Sequence, residues 1–305
     1  MRFFLLAVAA LLSALAFSPS HAAAGCPLPP PGESAQVPLV REERPATVYT
    51  PAGHRPADPP MPLVLLLHGS GSTGETMLRE SQLAATADAY GFLIVAPDAG
   101  IPLERGYAWN IPGVPTVAGT VPGPEERDDV AYLAGIADAL VEGGCVDFER
   151  IYATGLSGGG RMASWLGCVE SARYAAIAPV VGLRAGRADP ENETRIDRLT
   201  CRPGQPMPVM AFAGLQDSTN PLAGGQGMRW GYSMHAAEQR WAELNGCTEM
   251  PTTMWVDHDT YEERYGGCAG RAEVAARVDV EGGHSWVADN EALWAFFSRY
   301  RHGQR

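Results

Sequence analysis

Four features are missing from this 305-residue chain, and each absence closes off a class of function. Beyond the first two dozen residues no apolar run reaches the 18 or more residues of a membrane-crossing helix, so the remainder is expected to be soluble, with no membrane span. No basic run occurs and the formal net charge is −12, which leaves no footprint for nucleic acid or another polyanion. No C-x-x-C pair is present and successive cysteines stand more than 20 residues apart, so a tetrahedral zinc site has no support. Finally, there is no internal repeat, low-complexity tract or second-domain boundary. With 46% hydrophobic and 19% charged residues, residues 25–305 read as one globular domain with a large core.

The first 24 residues read differently. A charged start at Met1-Arg2, an apolar stretch from Phe3 to Phe17 and small residues around Ser20-His21-Ala22-Ala23-Ala24 form a secretory signal peptide, with cleavage expected near Ala22 or Ala24. Lipid attachment at Cys26 is the rival, but Ala23 stands where leucine is usual. The expected location is extracellular or periplasmic. There an even number of cysteines reads as three disulfides. Fifteen pairings are open; the order preferred is Cys247–Cys268, then Cys168–Cys201, leaving Cys26–Cys145. Each restricts the unfolded chain by roughly 2–4 kcal/mol.

Along the chain, Gln36 to Thr50 has the look of one or two edge strands. Pro62-Leu63-Val64-Leu65-Leu66-Leu67-His68 and Gly91-Phe92-Leu93-Ile94-Val95-Ala96-Pro97 are continuous apolar runs, the mark of strands buried on both faces. Helical spacing fills 75–90, 128–142, 228–245 and 289–301. Further strands fall at 151–154, 175–181, 208–213 and 274–280. This alternation predicts an α/β fold, a mostly parallel central sheet with helices on both faces. The long loop 98–127 is the main candidate for a substrate-facing excursion.

The most informative segment is Gly155-Leu156-Ser157-Gly158-Gly159, set between an apolar strand and the helical Arg161-Met162-Ala163-Ser164-Trp165-Leu166. With 35 glycines, serine flanked in this way arises by chance about 0.2 times per chain, so context carries the weight. A serine on a sharp strand-to-helix turn needs small residues two positions away on either side, and the turn sets it at a helix N-terminus where free N–H groups favour an oxyanion. Ser157 is the expected nucleophile. A serine hydroxyl needs an imidazole base held in one tautomer by a carboxylate. His284, after Glu281-Gly282-Gly283 and the last strand, has that setting; His54, His235 and His258 do not. Asp217 leaves the strand Val209-Met210-Ala211-Phe212-Ala213 and is the expected acid, ahead of Asp189, Asp197, Asp257, Asp259 and Asp279. Gly158 supplies one oxyanion donor and Ser70, in the glycine loop after His68, the other. His68 reads as a residue shaping that loop. Asp128-Asp129 reads as a helix start in preference to a pair of metal ligands.

The strand ending His68-Gly69, the serine motif with Arg161-Met162-Ala163, the turn Gly214-Leu215-Gln216-Asp217-Ser218-Thr219-Asn220-Pro221 with Gly224-Gly225, Trp241 to Gly246-Cys247, and Gly282-Gly283-His284-Ser285-Trp286 resemble the secreted polyhydroxybutyrate depolymerase and feruloyl esterase group of α/β-hydrolases. The resemblance spans about residues 60–290. It implies an α/β-hydrolase fold and a triad of Ser157, Asp217 and His284. Two positions depart from the pattern: Ala213 replaces a usual histidine and Val287 a common proline. Trp109 with Asn110 resembles the family's Trp-Asn segment, and these two with Trp286 are candidate substrate contacts. The resulting expectation is a serine esterase that needs no metal or organic cofactor. Its substrate would be a soluble or polymeric ester: a feruloyl or acetyl ester of plant polysaccharide, or a short polyhydroxyalkanoate. A peptidase with the same triad and a non-catalytic binding protein of this fold are the alternatives.

Overall fold

The computed structural model describes residues 26–41 and 43–303; the expected signal peptide lies outside them. In chain order the first elements are β1 (Ser34–Val37), β2 (Ala46–Tyr49), β3 (Met61–Leu67), α1 (Gly74–Ser81), α2 (Leu83–Tyr90) and β4 (Leu93–Ala96). A short hairpin, β5 (Ile101–Pro102) and β6 (Tyr107–Ala108), sits within the long loop. Next come α3 (Asp129–Glu142), β7 (Val146–Leu156), α4 (Gly158–Val169), β8 (Ala176–Val180) and the small pair β9 (Ala188–Asp189) and β10 (Asn192–Ile196). The last third holds β11 (Val209–Gly214), α5 (Gly227–Trp230), α6 (Met234–Leu244), β12 (Thr252–Trp255), β13 (Thr260–Tyr265), β14 (Val274–Asp279) and α7 (Asn290–Phe297).

Ten strands form one sheet in the order β1-β2-β4-β3-β7-β8-β11-β14-β13-β12. The six from β4 to β14 in that order run parallel, and both edges are antiparallel. The leucine run of β3 shows why such strands are apolar throughout. Leu63, Leu65 and Leu67 enter the core beneath α3, α4 and α6, while Val64 and Leu66 enter the core beneath α1, α2 and α7. Side chains alternate across the pleat, so a sheet covered twice needs apolar residues at every position. Replacing a fully buried leucine such as Leu66 with alanine would cost about 2–5 kcal/mol.

Two expected elements come out differently and a further one appears. The helix expected over 75–90 is two, because Gln82 takes a left-handed conformation (φ 54°) that ends α1 and opens α2, and Asn290 donates to the freed Ser81 carbonyl at 2.8 Å. Residues 228–245 likewise divide, with Ser233 capping α6 by accepting from the Ala236 amide. The hairpin β12–β13 was not expected at all: its strands read Thr-Thr-Met-Trp and Thr-Tyr-Glu-Glu-Arg-Tyr, without the apolar alternation that marks a half-buried strand. Disulfides join Cys26 to Cys145, Cys168 to Cys201 and Cys247 to Cys268, and the last closes the segment that contains this hairpin.

Candidate active site

The chain leaves β3 to form β4 on one side, then returns to place β7 on the other. The crevice above that reversal is where open α/β sheets bind ligands. Both loops bordering it are crowded by design. A Cβ on Gly155 would lie 2.5 Å from the Leu67 carbonyl oxygen, and one on Gly159 would lie 2.1 Å from the same atom, so only glycine lets β7 turn this tightly against β3. Ser157 sits at the apex with φ 55° and ψ −110°, a backbone state that costs a non-glycine residue of order 1–3 kcal/mol. Its N–H donates to the Val180 carbonyl at 2.9 Å, and its own carbonyl accepts from Arg161 at 2.9 Å.

His284 Nε2 lies 2.8 Å from Ser157 Oγ, and His284 Nδ1 lies 2.7 Å from Asp217 Oδ2. Since an ionised carboxylate only accepts, Nδ1 carries the proton and Nε2 is free to accept from the serine hydroxyl. Asp217 is buried, and its second oxygen accepts from the Thr219 and Asn220 amides, each at 2.8 Å. Burial alone would raise this carboxyl; the bonds from His284 and from the two amides outweigh it and hold the group below the usual carboxylate range. The loops bearing the acid and the base are tied together, since Gln216 N–H donates to the Gly282 carbonyl at 2.8 Å. Asp279 shapes the histidine loop by accepting from the Glu281 and Gly282 amides.

Ser70 lies across from the start of α4. A Cβ on Gly158 would come within 3.1 Å of the Ser70 nitrogen, so the two backbones face each other closely. The first-turn amides of a helix have no partner four residues back. His68, fully buried, shapes this loop: its ring bonds the Gly69 carbonyl at 2.7 Å and its Nε2 accepts from the Ala99 amide at 3.0 Å. Burial lowers it to about 4, so it stays neutral.

The proposed aromatic contacts fare unevenly. Trp109 is 4% exposed; its indole donates to the His68 carbonyl at 2.8 Å and its ring lies 5.1 Å from the histidine ring. Asn110 likewise turns inward, donating to the Arg127 carbonyl at 2.9 Å. Trp109 is corrected from a substrate contact to a brace, and the Asn110 side chain braces the loop as well, though the residue is only half-buried: this part of the long loop folds back under the glycine loop because its polar groups find partners there. Asp129 is what holds it, accepting from the Gly100 and Asn110 amides at 3.1 and 2.8 Å, while Asp128 caps α3 through the Ala131 amide. Trp286 packs on the core beside α7 and donates to Asn290 at 2.9 Å, remaining partly open.

Sequence reasoning gave no role to Asn220. Besides its amide bond to Asp217, it donates to the Val181 carbonyl at 2.9 Å and accepts from Arg184 at 2.8 Å, so it joins the acid loop to the loop after β8. Its signal was its place three residues past Asp217, where its backbone amide can donate to the aspartate side chain. Among the described residues, His235, Glu238 and Glu263 hold ligand atoms within 4.8 Å of one another; they belong to α6 and β13, apart from the serine.

A family model described as Esterase PHB depolymerase matches residues 46–210. Feruloyl esterase B of Piromyces equi is 29% identical over 269 residues, covering 84% of this chain and 45% of that protein. Feruloyl esterase C of Emericella nidulans is 27% identical over 179 residues, 56% of this chain and 57% of its own. The chain thus spans about half the length of these curated relatives. The acetyl xylan esterase from Aspergillus awamori has the same fold, with a TM-score of 0.61 at 14% identity, covering 88% of this chain and 99% of that one.

Proposed function

The chain belongs to the esterase PHB depolymerase family, and from that premise we propose that it is an exported serine hydrolase of carboxylic esters, acting through an acyl-enzyme. The observation that carries the reading is the continuous hydrogen-bonded path from Ser157 Oγ through both nitrogens of His284 to Asp217. In the first step His284 Nε2 takes the hydroxyl proton as Ser157 Oγ attacks the ester carbonyl. Asp217 keeps the imidazole in the needed tautomer and stabilises the imidazolium. The oxyanion meets the Gly158 and Ser70 amides, each worth roughly 2.7–4 kcal/mol. The imidazolium then protonates the leaving alcohol. Water, deprotonated by the same nitrogen, hydrolyses the acyl-serine.

Three disulfides support an oxidising location. The names of the relatives favour feruloyl or acetyl esters of plant polysaccharide, and the family's description favours short hydroxyalkanoate esters. Hydrolysis of methyl ferulate, an acetylated xylo-oligosaccharide, a hydroxybutyrate oligomer and a p-nitrophenyl ester, with Ser157→Ala alongside, tests the reading. Turnover by the wild type that falls about 10⁴- to 10⁶-fold in the variant is the expected result. Equal turnover by both proteins, or silence on every ester, would sink it.

A further inference from the structure

One helical turn beyond Ser157, α4 carries a second polar group. Arg161 and Arg184 are 7% and 6% exposed. Together with Arg187 and Arg229 they line a cavity of about 20 Å³, walled by Trp165 of α4 and Ile111 of the long loop. Such a volume admits a water or the head of a compact anion.

Interior guanidinium groups ordinarily face carboxylates. Here, among the described residues, no carboxylate pairs with Arg161, Arg184 or Arg229; Arg187 alone of the four has one, Asp197 at 3.9 Å. Arg184 spends its N–H groups on neutral oxygens, those of Leu183, Arg229 and Asn220, at 2.7, 3.1 and 2.8 Å. Trp230 offers its ring to Arg161 and Arg184, 4.7 and 4.8 Å from the centroid, which offsets part of the charge. Arg161 Nε and Nη1 and Arg229 Nη1 remain buried without an acceptor. Burial and the charges of Arg229 and Arg184 push Arg161 down to about 9. In a chain of net charge −12, this is a local excess of positive charge with open donors.

We propose that this cavity seats a carboxylate, and that the carboxylate is carried by the ester substrate, so that the preferred esters are anionic ones with a free carboxylate on the acid or alcohol side. A substrate is favoured over a free ion by position. Arg161 begins four residues, roughly 6 Å of helix rise, from Ser157, and Asn220 bridges Arg184 to the Asp217 loop. Arginine suits the task because its planar fork can bind both carboxylate oxygens. The inference rests on the esterase reading of Ser157.

The test is calorimetric titration of Ser157→Ala protein with monoethyl succinate, diethyl succinate and sodium acetate; the two esters share an acyl chain and differ by one charge. Expected is at least tenfold tighter binding of the monoethyl ester, a preference that Arg161→Gln in the same background abolishes. Arg229→Gln, at a less buried position, is expected to reduce the preference several-fold and serves if Arg161→Gln does not fold. Equal binding of the two esters overturns the proposal. So does saturable acetate binding without any preference between them, since a free anion would then fill the cavity. Because these titrations need no turnover, a wild type that hydrolyses no ester defeats the esterase reading separately from the pocket.

Discussion

Two polar groups lie one turn apart on α4, and they are built on opposite terms. At Ser157 each side chain of the relay has a partner: hydroxyl to imidazole, imidazole to carboxylate, carboxylate to two amides. Around Arg161 three buried N–H-bearing atoms have none. The first group is complete within the protein, so its geometry is fixed before any ligand arrives, which is what a site stabilising a transition state requires. The second is electrostatically incomplete. Its unpaired charge weakens the fold unless something negative enters, and that cost is also what would make a ligand bind.

Breaking the complete group has the largest effect. Asp217→Asn leaves shape nearly unchanged but removes the acceptor that selects the histidine tautomer, and kcat on a p-nitrophenyl ester should fall about 10⁴-fold; a fall of less than tenfold would mean that Asp217 is not the orienting acid. Next comes the turn that carries the serine. Gly159→Ala sets a Cβ 2.1 Å from the Leu67 carbonyl oxygen, backbone that cannot yield cheaply, so urea denaturation should show a loss of about 3–5 kcal/mol or no folded protein.

The incomplete group should respond with the opposite sign. Arg161→Met removes an unpaired buried cation while keeping most of its volume, so in chloride- and carboxylate-free buffer the variant should be more stable than the wild type by about 1–3 kcal/mol. A lowered Tm in that buffer would place Arg161 among the satisfied groups. A pH-dependent effect is expected at Glu238 of α6, a buried carboxyl that burial, and then the charge of Glu263, push up to about 8. Between about pH 4.5 and 8 the unfolded chain releases this proton while the folded chain keeps it, so wild-type stability falls as pH rises through that window. Glu238→Gln has no proton to release. Its Tm should therefore match the wild type near pH 4.5 and exceed it increasingly toward pH 8; a constant gap would show that Glu238 does not titrate there.

Much of this was legible in the residues. The parallel strands could be read because burial on both faces forces continuous apolar runs, as in β3 and β4. The serine turn could be read because its steric demand falls on residues two positions away. His68 was legible as a loop-shaping residue, its setting beside Gly69 and Gly71 being the clue. What escaped had no local signature. The helix break at Gln82 depends on Asn290, 208 positions further along the chain and reaching back to Ser81. Trp109 and Asn110 looked like exposed loop residues, and only the buried carboxylate of Asp129 shows that the loop is drawn inward. In the hairpin β12–β13 the outer strand is exposed throughout and β13 buries only Glu262 and Tyr265, three positions apart, so neither carries the alternation of a half-buried strand.

The sequence by itself determined the α/β order of elements, the strained turn at Ser157 and the candidates His284 and Asp217, because each rests on short-range rules: side-chain alternation, steric access at a turn, position just past a strand. Tertiary structure alone decided that His284 reaches both Ser157 and Asp217, that Asn220 ties the acid loop to the next, and that four arginines scattered from 161 to 229 converge on one cavity, three of them without a carboxylate partner among the described residues. Hydrogen bonds and charge interactions act over a few ångströms in space whatever the separation along the chain. Which groups they join is settled only when the sheet has brought its loops to one edge.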